Sequence, residues 1–349
     1  MNLDVNLDVN LDVTPTPPTQ PKIALAMIPG LEEQAFREEH WQRLEAIGTL
    51  IDRRPLEQFD DDRAGAVLAE ADVLLGHWGC PTLTADALAR APRLRLFAYA
   101  AGTVKWQVVD AVWQRDLIVT SAAAANAVPV AEYTVAMIVL ANKGVPLFAA
   151  RERDPEANVP LSRRVSNLGK KVGLVGASLV GRHVIELLRS YDLEVAVADP
   201  YLDRSEADRL GVALMELDEL CVWCDVLSLH APEVDATRGM IGAEQLALLH
   251  KGAFLINTAR GRLVDHDALL AELETGRLAA ILDVTEPEPL PADSPFRRLP
   301  NVLLTPHVAG ATGTELWRLA DLAVEEVERF AAGLPPRHPV VQADLDRIA

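Results

Sequence analysis

Three short segments of this 349-residue chain carry side chains that can do chemistry. The first is Val172-Gly173-Leu174-Val175-Gly176-Ala177-Ser178-Leu179-Val180-Gly181, an apolar run that passes through a glycine-punctuated turn into a helical pattern. In the dinucleotide fingerprint Gly-x-Gly-x-x-Gly, the first glycine makes a tight turn and the second admits a pyrophosphate to the backbone. The third lets helix pack on strand. Gly176 and Gly181 fill the first and third positions, and Ser178 stands at the second, its hydroxyl a candidate donor to a diphosphate. Asp199 ends the next apolar run. A carboxylate there accepts from ribose hydroxyls and repels a 2′-phosphate, which favours NAD over NADP. The second segment runs from Ile256 to Asp265. Arg260 falls just past a strand end, placed to hold a carboxylate by two parallel hydrogen bonds, and Arg262 competes for that role. The third joins Asp283-Val284-Thr285-Glu286-Pro287-Glu288-Pro289 to Leu303-Leu304-Thr305-Pro306-His307-Val308-Ala309-Gly310. A histidine after a strand end, with an upstream carboxylate able to orient it, makes an acid/base couple.

Such side chains need a scaffold, and the hydrophobic pattern supplies one. Short apolar runs at 23–28, 49–51, 73–75, 94–98 and 117–120 read as strands separated by helical lengths. Six more follow, at 171–175, 194–198, 225–229, 253–257, 279–283 and 301–305. Alternation of this kind predicts parallel sheets covered on both faces, in two α/β units. Between them Asn126-Ala127-Val128-Pro129-Val130-Ala131-Glu132 reads as a helix start, and the helix runs to about Lys143 before Gly144. It is apolar nearly all round, so it bridges domains or packs on a second subunit. A last helix over 313–332 leads to a C-terminal segment able to fold back on the first unit.

Composition narrows the classes. With 33 Lys+Arg against 51 Asp+Glu the net charge is −18, which argues against nucleic acid or an anionic membrane as the main partner. The apolar run 128–141 contains Glu132 and is too short to cross a bilayer. Three cysteines, Cys80, Cys221 and Cys224, give no disulfide framework and point to a reducing cytoplasm. Cys221 and Cys224 form a lone Cys-x-x-Cys that reads as buried packing ahead of redox or metal chemistry, so no metal is expected. Residues 1–21 hold a repeated Asn-Leu-Asp-Val and a proline-rich stretch, read as a disordered low-complexity tail, with no basic region of a signal peptide.

Taken in order, the three motifs resemble the D-isomer-specific 2-hydroxyacid dehydrogenase family over about 74–310. The resemblance implies an α/β protein of two domains. One is a flavodoxin-like substrate domain from 22–123 and 311–349, and the other an inserted Rossmann-type doubly wound NAD-binding domain over 124–310. It further implies a homodimer through the helix 128–143. The family's catalytic groups fall on Arg260, Glu288 and His307. Glu288 is preferred for its Pro-Glu-Pro context, and Glu286 is the alternative. NAD contacts fall on Gly176, Ser178, Leu179, Val180, Gly181, Asp199, His230, Ala231, Pro232, Thr237, Thr258, Ala259, Arg260, Asp283 (to the carboxamide), His307 and Gly310. Substrate contacts fall on Trp78, Gly79, Ala101, Gly102 and Arg260, with backbone amides near Trp78-Gly79 and Ala101-Gly102 taking a carboxylate oxygen. Two departures stand out: Ser178 for the second fingerprint glycine, and Ala101-Gly102-Thr103 where the family has Gly-Val-Asp. The implied reaction interconverts a 2-oxo acid and its D-2-hydroxy acid with NADH. The alternatives are a non-catalytic NAD-sensing, corepressor-like binding protein and a phosphoglycerate dehydrogenase. The latter needs a cationic phosphate pocket, for which Lys105 is one candidate. The loop 76–80 offers no Arg or Lys, and few residues follow the last helix for a regulatory domain. Trp78 and Trp106 hint at a bulky or apolar substrate side chain.

Overall fold

The computed structural model describes residues 20–161 and 165–345. The N-terminal repeat and Arg163-Arg164 lie outside the described residues. The chain divides into two compact units, one built from the sequence up to Ala125 together with Gly313–Ala343, the other from Asn126–Thr312.

The first unit holds a five-stranded, all-parallel sheet of β1 (Lys22–Ala26), β2 (Thr49–Leu50), β3 (Val73–Gly76), β4 (Leu96–Tyr99) and β5 (Ile118–Ser121), in the order β2-β1-β3-β4-β5. Strands such as β3, Val-Leu-Leu-Gly, are apolar on both faces because helices cover both. Those helices start where a side chain can accept an otherwise unpaired amide. Asp61 caps Asp62–Glu70 through Ala64 N at 2.6 Å, and Thr84 caps Ala85–Arg90. The chain end does return. Leu319, Ala323, Val324 and Val327 form one buried stripe of the helix Leu316–Ala331, and Val340 N donates to Val119 O at 2.8 Å. Arg43 clasps Glu328 of that helix through two 2.8 Å hydrogen bonds, which hold its guanidinium pKa up.

The second unit holds seven parallel strands: β6 (Lys170–Val175), β7 (Leu193–Ala198), β8 (Ala213–Leu214), β9 (Val226–Leu229), β10 (Phe254–Asn257), β11 (Ala279–Leu282) and β12 (Val302–Leu304). Their order is β12-β11-β10-β9-β6-β7-β8. Six strands were expected. The seventh, β8, is an exposed two-residue edge strand, too short to show a period in sequence. The long helix also differs from expectation. It begins at Ala123 rather than at Asn126 and ends at Asn142, with Pro129 inside it. Asn126 does not cap it, because its carboxamide oxygen accepts from Ala311 N at 3.0 Å instead. At 20 residues the helix is long and apolar enough to cross a membrane, unlike the shorter run read from sequence. Ala131, Val135, Ile138 and Ala141 nevertheless pack into the core of this unit with Val172, Leu174 and Val184. Cys221 and Cys224 are fully buried and free, and burial pushes the Cys221 thiol up to about 12, so neither behaves as a reactive thiolate.

Candidate active site

In the second unit the strand order reverses between β6 and β9, and ligands of doubly wound sheets bind outside the carboxyl ends of the strands at that point. The loop after β6 is shaped for it. Gly176 has φ +99°, and a Cβ on it would lie 2.8 Å from Ala231 N. A Cβ on Gly181 would lie 2.3 Å from Gly176 O. Both glycines are therefore required, one by backbone angle and crowding, the other by the approach of helix to turn. Ser178 has φ −63°, which any residue adopts, so the missing glycine costs the backbone nothing. Its Oγ accepts from Gly181 N at 3.4 Å and caps the helix Leu179–Leu188, leaving the hydroxyl proton free to donate. Leu179 and Val180 form the first turn of that helix.

Asp199 at the end of β7 meets the same loop. Its Oδ2 accepts from Ala177 N at 2.6 Å and its Oδ1 from Tyr201 N at 2.8 Å. Across the reversal, His230 N donates to Val175 O at 2.7 Å, which brings His230-Ala231-Pro232 against Gly176. The His230 ring is buried, its Nε2 lies 3.0 Å from Ser228 Oγ, and its Nδ1 has no partner. The Thr237 hydroxyl, expected to face a cofactor, is committed within its own loop. It donates to Pro232 O at 2.6 Å and accepts from Val234 N at 3.0 Å. A glycine cradle, a helix start with a free hydroxyl proton, a carboxylate at the next strand end and an unpartnered buried imidazole nitrogen together fit a dinucleotide.

Burial pushes the pKa of His230 down to about 3 and that of His77, in the first unit, down to about 4. Both are neutral in the folded chain and take up a proton only on unfolding at mildly acidic pH. The unfolded state then binds more protons, so stability falls as pH drops below about 6.5. Between pH 7 and pH 5 each is expected to remove about 2 kcal/mol. Denaturant midpoints of the wild type and of His77→Asn at the two pH values check this, since the variant should lose part of the pH dependence.

Arg260, Glu288 and His307 follow the ends of β10, β11 and β12. After β10, Asn257 organises the turn: its Nδ2 donates to Arg260 O at 2.8 Å and its Oδ1 accepts from Ala259 N at 3.0 Å. Thr258, buried, shares a 2.9 Å hydrogen bond with Thr134. Arg260 is half-buried and its Nη1 donates to Ala259 O at 2.7 Å. Burial pulls its guanidinium pKa down, while Glu233 and Glu288 hold it up. Arg262, the competing candidate, is engaged by Glu286 at 3.2 Å and Glu233 at 3.5 Å. Gly261 touches the opposing loop, where an added Cβ would lie 2.2 Å from Thr285 C and O. Gly261→Ala is therefore expected to cost about 2 kcal/mol of stability by overpacking. It should also lower kcat by displacing Arg260; thermal unfolding and steady-state rates check both effects.

Glu288 Oε1 lies 2.6 Å from His307 Nδ1, so Glu288 rather than Glu286 is the histidine's partner. An ionised carboxylate only accepts, so Nδ1 carries the proton of this bond and Nε2 is the nitrogen left to gain or lose one. His307 has φ +55°, the one non-glycine in the left-handed region among the described residues. Asp283 imposes that conformation. Its backbone O accepts from His307 N at 2.9 Å, its Oδ1 from Val308 N at 2.9 Å and Thr305 Oγ1 at 2.6 Å, and its Oδ2 from Ala309 N at 2.9 Å. Asp283, expected to contact a carboxamide, thus spends most of its capacity holding the histidine loop, with Oδ2 able to take one more donor. Thr305 and Tyr133 were not anticipated. Tyr133 Oη lies 2.6 Å from Thr305 Oγ1, and because the threonine proton goes to Asp283, Tyr133 donates. Gly310 is held close to Asn126, whose Oδ1 would be 3.2 Å from an added Cβ.

The remaining expected residues belong to the first unit, at the carboxyl ends of β3 and β4. Gly79 has φ +80°, Ala101 is fully buried and Gly102 half-buried. One expectation needs correction. The Trp78 amide is not free for a carboxylate oxygen, since it donates to His77 Nδ1 at 2.8 Å.

Residues 135–309 match the family model described as "D-isomer specific 2-hydroxyacid dehydrogenase, NAD binding domain". The chain is 33% identical to a glyoxylate reductase of Aeropyrum pernix, over 72% of this chain and 77% of that one. The chain belongs to the D-isomer-specific 2-hydroxyacid dehydrogenase family. It is also 32% identical to a D-3-phosphoglycerate dehydrogenase of Methanocaldococcus jannaschii, over 76% of this chain and 51% of the other. It spans about half the length of the phosphoglycerate dehydrogenases it matches. A crystal structure of a phosphoglycerate oxidoreductase from Rhizobium etli superposes with a TM-score of 0.75 at 25% identity, covering 93% of this chain and 99% of that one. The two parallel-sheet units accordingly are a Rossmann-type NAD-binding domain and a substrate domain.

Proposed function

We propose that the chain is an NAD-dependent oxidoreductase that interconverts a 2-oxo acid and its D-2-hydroxy acid. The observation that carries this reading is the 2.6 Å His307–Glu288 couple, gathered with Arg260 at the strand ends of the NAD-binding domain. Gly176, Ser178, Gly181, Asp199 and the 230–232 segment would hold the dinucleotide, with Thr258, Ala259, Asp283 and Gly310 toward its other end. When bound, the nicotinamide supplies or accepts the hydride. Arg260 pairs with the substrate carboxylate and draws electron density from the adjacent carbonyl. His307 holds a proton on Nε2 and delivers it to the carbonyl oxygen as the alcohol forms; in the reverse direction the neutral ring takes it back. Glu288 keeps the ring in the tautomer and orientation that this needs.

The test is steady-state oxidation of NADH with simple 2-oxo acids such as pyruvate and glyoxylate, with the product resolved by chirality. Turnover to the D-acid supports the reading. Tight NADH binding without turnover of any acid favours a sensing protein instead. Asp199→Ala is expected to weaken NAD and to narrow its advantage over NADP, which the ratio of kcat/KM for the two reduced cofactors measures.

The family also motivates a homodimer through the long helix. Half-exposed Val128, Met137, Val139 and Leu140 support it, as do the exposed Val145 and Phe148 on the helix that follows. Three free cysteines suit a cytoplasmic location.

A further inference from the structure

The long helix is mostly apolar, yet three of its polar residues serve one task. Asn126, Tyr133 and Thr134 stand at i, i+7 and i+8, which puts them on one face, two turns apart. Each reaches a loop that follows a strand of the NAD-binding domain. Asn126 Oδ1 accepts from Ala311 N at 3.0 Å, Tyr133 Oη lies 2.6 Å from Thr305 Oγ1, and Thr134 Oγ1 lies 2.9 Å from Thr258 Oγ1. A helix that only filled the core would need none of these groups, since a buried hydroxyl costs free energy unless it is paired.

The Tyr133 contact leads furthest. Thr305 Oγ1 gives its one proton to Asp283 Oδ1 at 2.6 Å, because an ionised carboxylate only accepts. The threonine oxygen therefore receives from Tyr133. Burial, with Asp283 adding to it, holds the tyrosine pKa above its ordinary value, so the phenol keeps the proton it donates. Two short hydrogen bonds in series thus end on a charge, and each strengthens the other. That charge shapes the histidine loop. The carbonyl and carboxylate of Asp283 collect the successive amides of His307, Val308 and Ala309, each at 2.9 Å. Consecutive amides turn toward one residue only where the backbone folds sharply. His307 meets that demand at φ +55°, a region its Cβ disfavours. The carboxylate has to keep one rotation for this, since a swing of its plane would release an amide. Thr305, held in turn by Tyr133, fixes that rotation.

Resting on the reaction proposed above, we infer that Tyr133 is a positioning residue for the proton transfer: through Thr305 and Asp283 it fixes the loop from which His307 presents its imidazole. Its part is to aim the proton carrier, so its loss falls on kcat rather than on the binding of NADH.

The experiment compares the wild type with Tyr133→Phe, Thr305→Val and Thr305→Ser. It uses NADH and whichever of glyoxylate, pyruvate and phenylpyruvate the wild type reduces fastest, beside a fluorescence titration of NADH. Tyr133→Phe keeps the ring and its packing. It should lower kcat about tenfold while KM for the acid and Kd for NADH stay within about twofold of the wild type. Thr305→Val removes the hydroxyl that grips Asp283 and should lower kcat about thirtyfold. Thr305→Ser, which keeps the hydroxyl, should restore kcat to within about threefold of the wild type. A Tyr133→Phe enzyme with unchanged kcat overturns the inference and leaves the reaction standing. So does a Thr305→Ser enzyme as slow as Thr305→Val, or a Tyr133→Phe loss confined to NADH affinity. Should Thr305→Val fail to fold, Tyr133→Phe decides alone. If the wild type oxidises NADH with no acid, the reaction itself is wrong and the inference goes with it.

Discussion

His307→Asn is expected to lower kcat by about a thousandfold while NADH binding survives. Asparagine is the informative replacement because it tolerates the left-handed backbone that His307 adopts at φ +55°. The loop amides of His307, Val308 and Ala309 would still reach Asp283, so the variant should lose the proton carrier and keep the frame that holds it. Its carboxamide cannot give up a proton near neutral pH. Glu288→Gln is the companion. It keeps the shape and can still engage Nδ1, but it favours the wrong tautomer as readily as the right one, so its loss should be smaller. Stopped-flow rates and an NADH fluorescence titration on both variants separate chemistry from binding. A His307→Asn enzyme with nearly normal kcat would remove the histidine from the mechanism.

Arg260→Ala carries the second large effect. A half-buried guanidinium facing a substrate carboxylate makes a charge pair largely out of water. Removing one member of such a pair costs about 2 to 5 kcal/mol, or roughly 30-fold to several-thousand-fold in kcat/KM. Part of the loss should fall on KM, through the carboxylate, and part on kcat, through the carbonyl. Arg260→Lys should restore little, because an ammonium keeps the charge and lacks the planar fork that holds two oxygens. Arg262→Ala is the control. That side chain is exposed and tied to Glu286 and Glu233, so its removal should leave kcat/KM close to the wild type.

Much of this arrangement was legible in the sequence because it is local. Gly176 and Gly181 announce a turn that only glycine can make, and the structure gives each a backbone reason. Arg260, Glu288 and His307 stand beside strand ends, and strand ends are readable as apolar runs closed by polar or proline residues. Distance shows Glu288 rather than Glu286 against His307, and Arg262 engaged with Glu286. What stayed hidden is non-local. Nothing near Asp283 says that its carboxylate will gather the amides of a loop after the next strand, or that Tyr133 will donate to Thr305 from the long helix. The early start of the long helix was hidden for a related reason. Asn126 looks like a cap, but its carboxamide is claimed by Ala311 N, far along the chain.

The most direct test of the account is a single turnover with 4,4-dideuterated NADH and a 2-oxo acid substrate, followed by mass spectrometry and chiral analysis of the product. The account predicts one deuterium on C2 of the D-2-hydroxy acid, with the hydroxyl proton drawn from solvent. A product of the L configuration, a C2 hydrogen taken from water, or bound NADH that no 2-oxo acid consumes would contradict it.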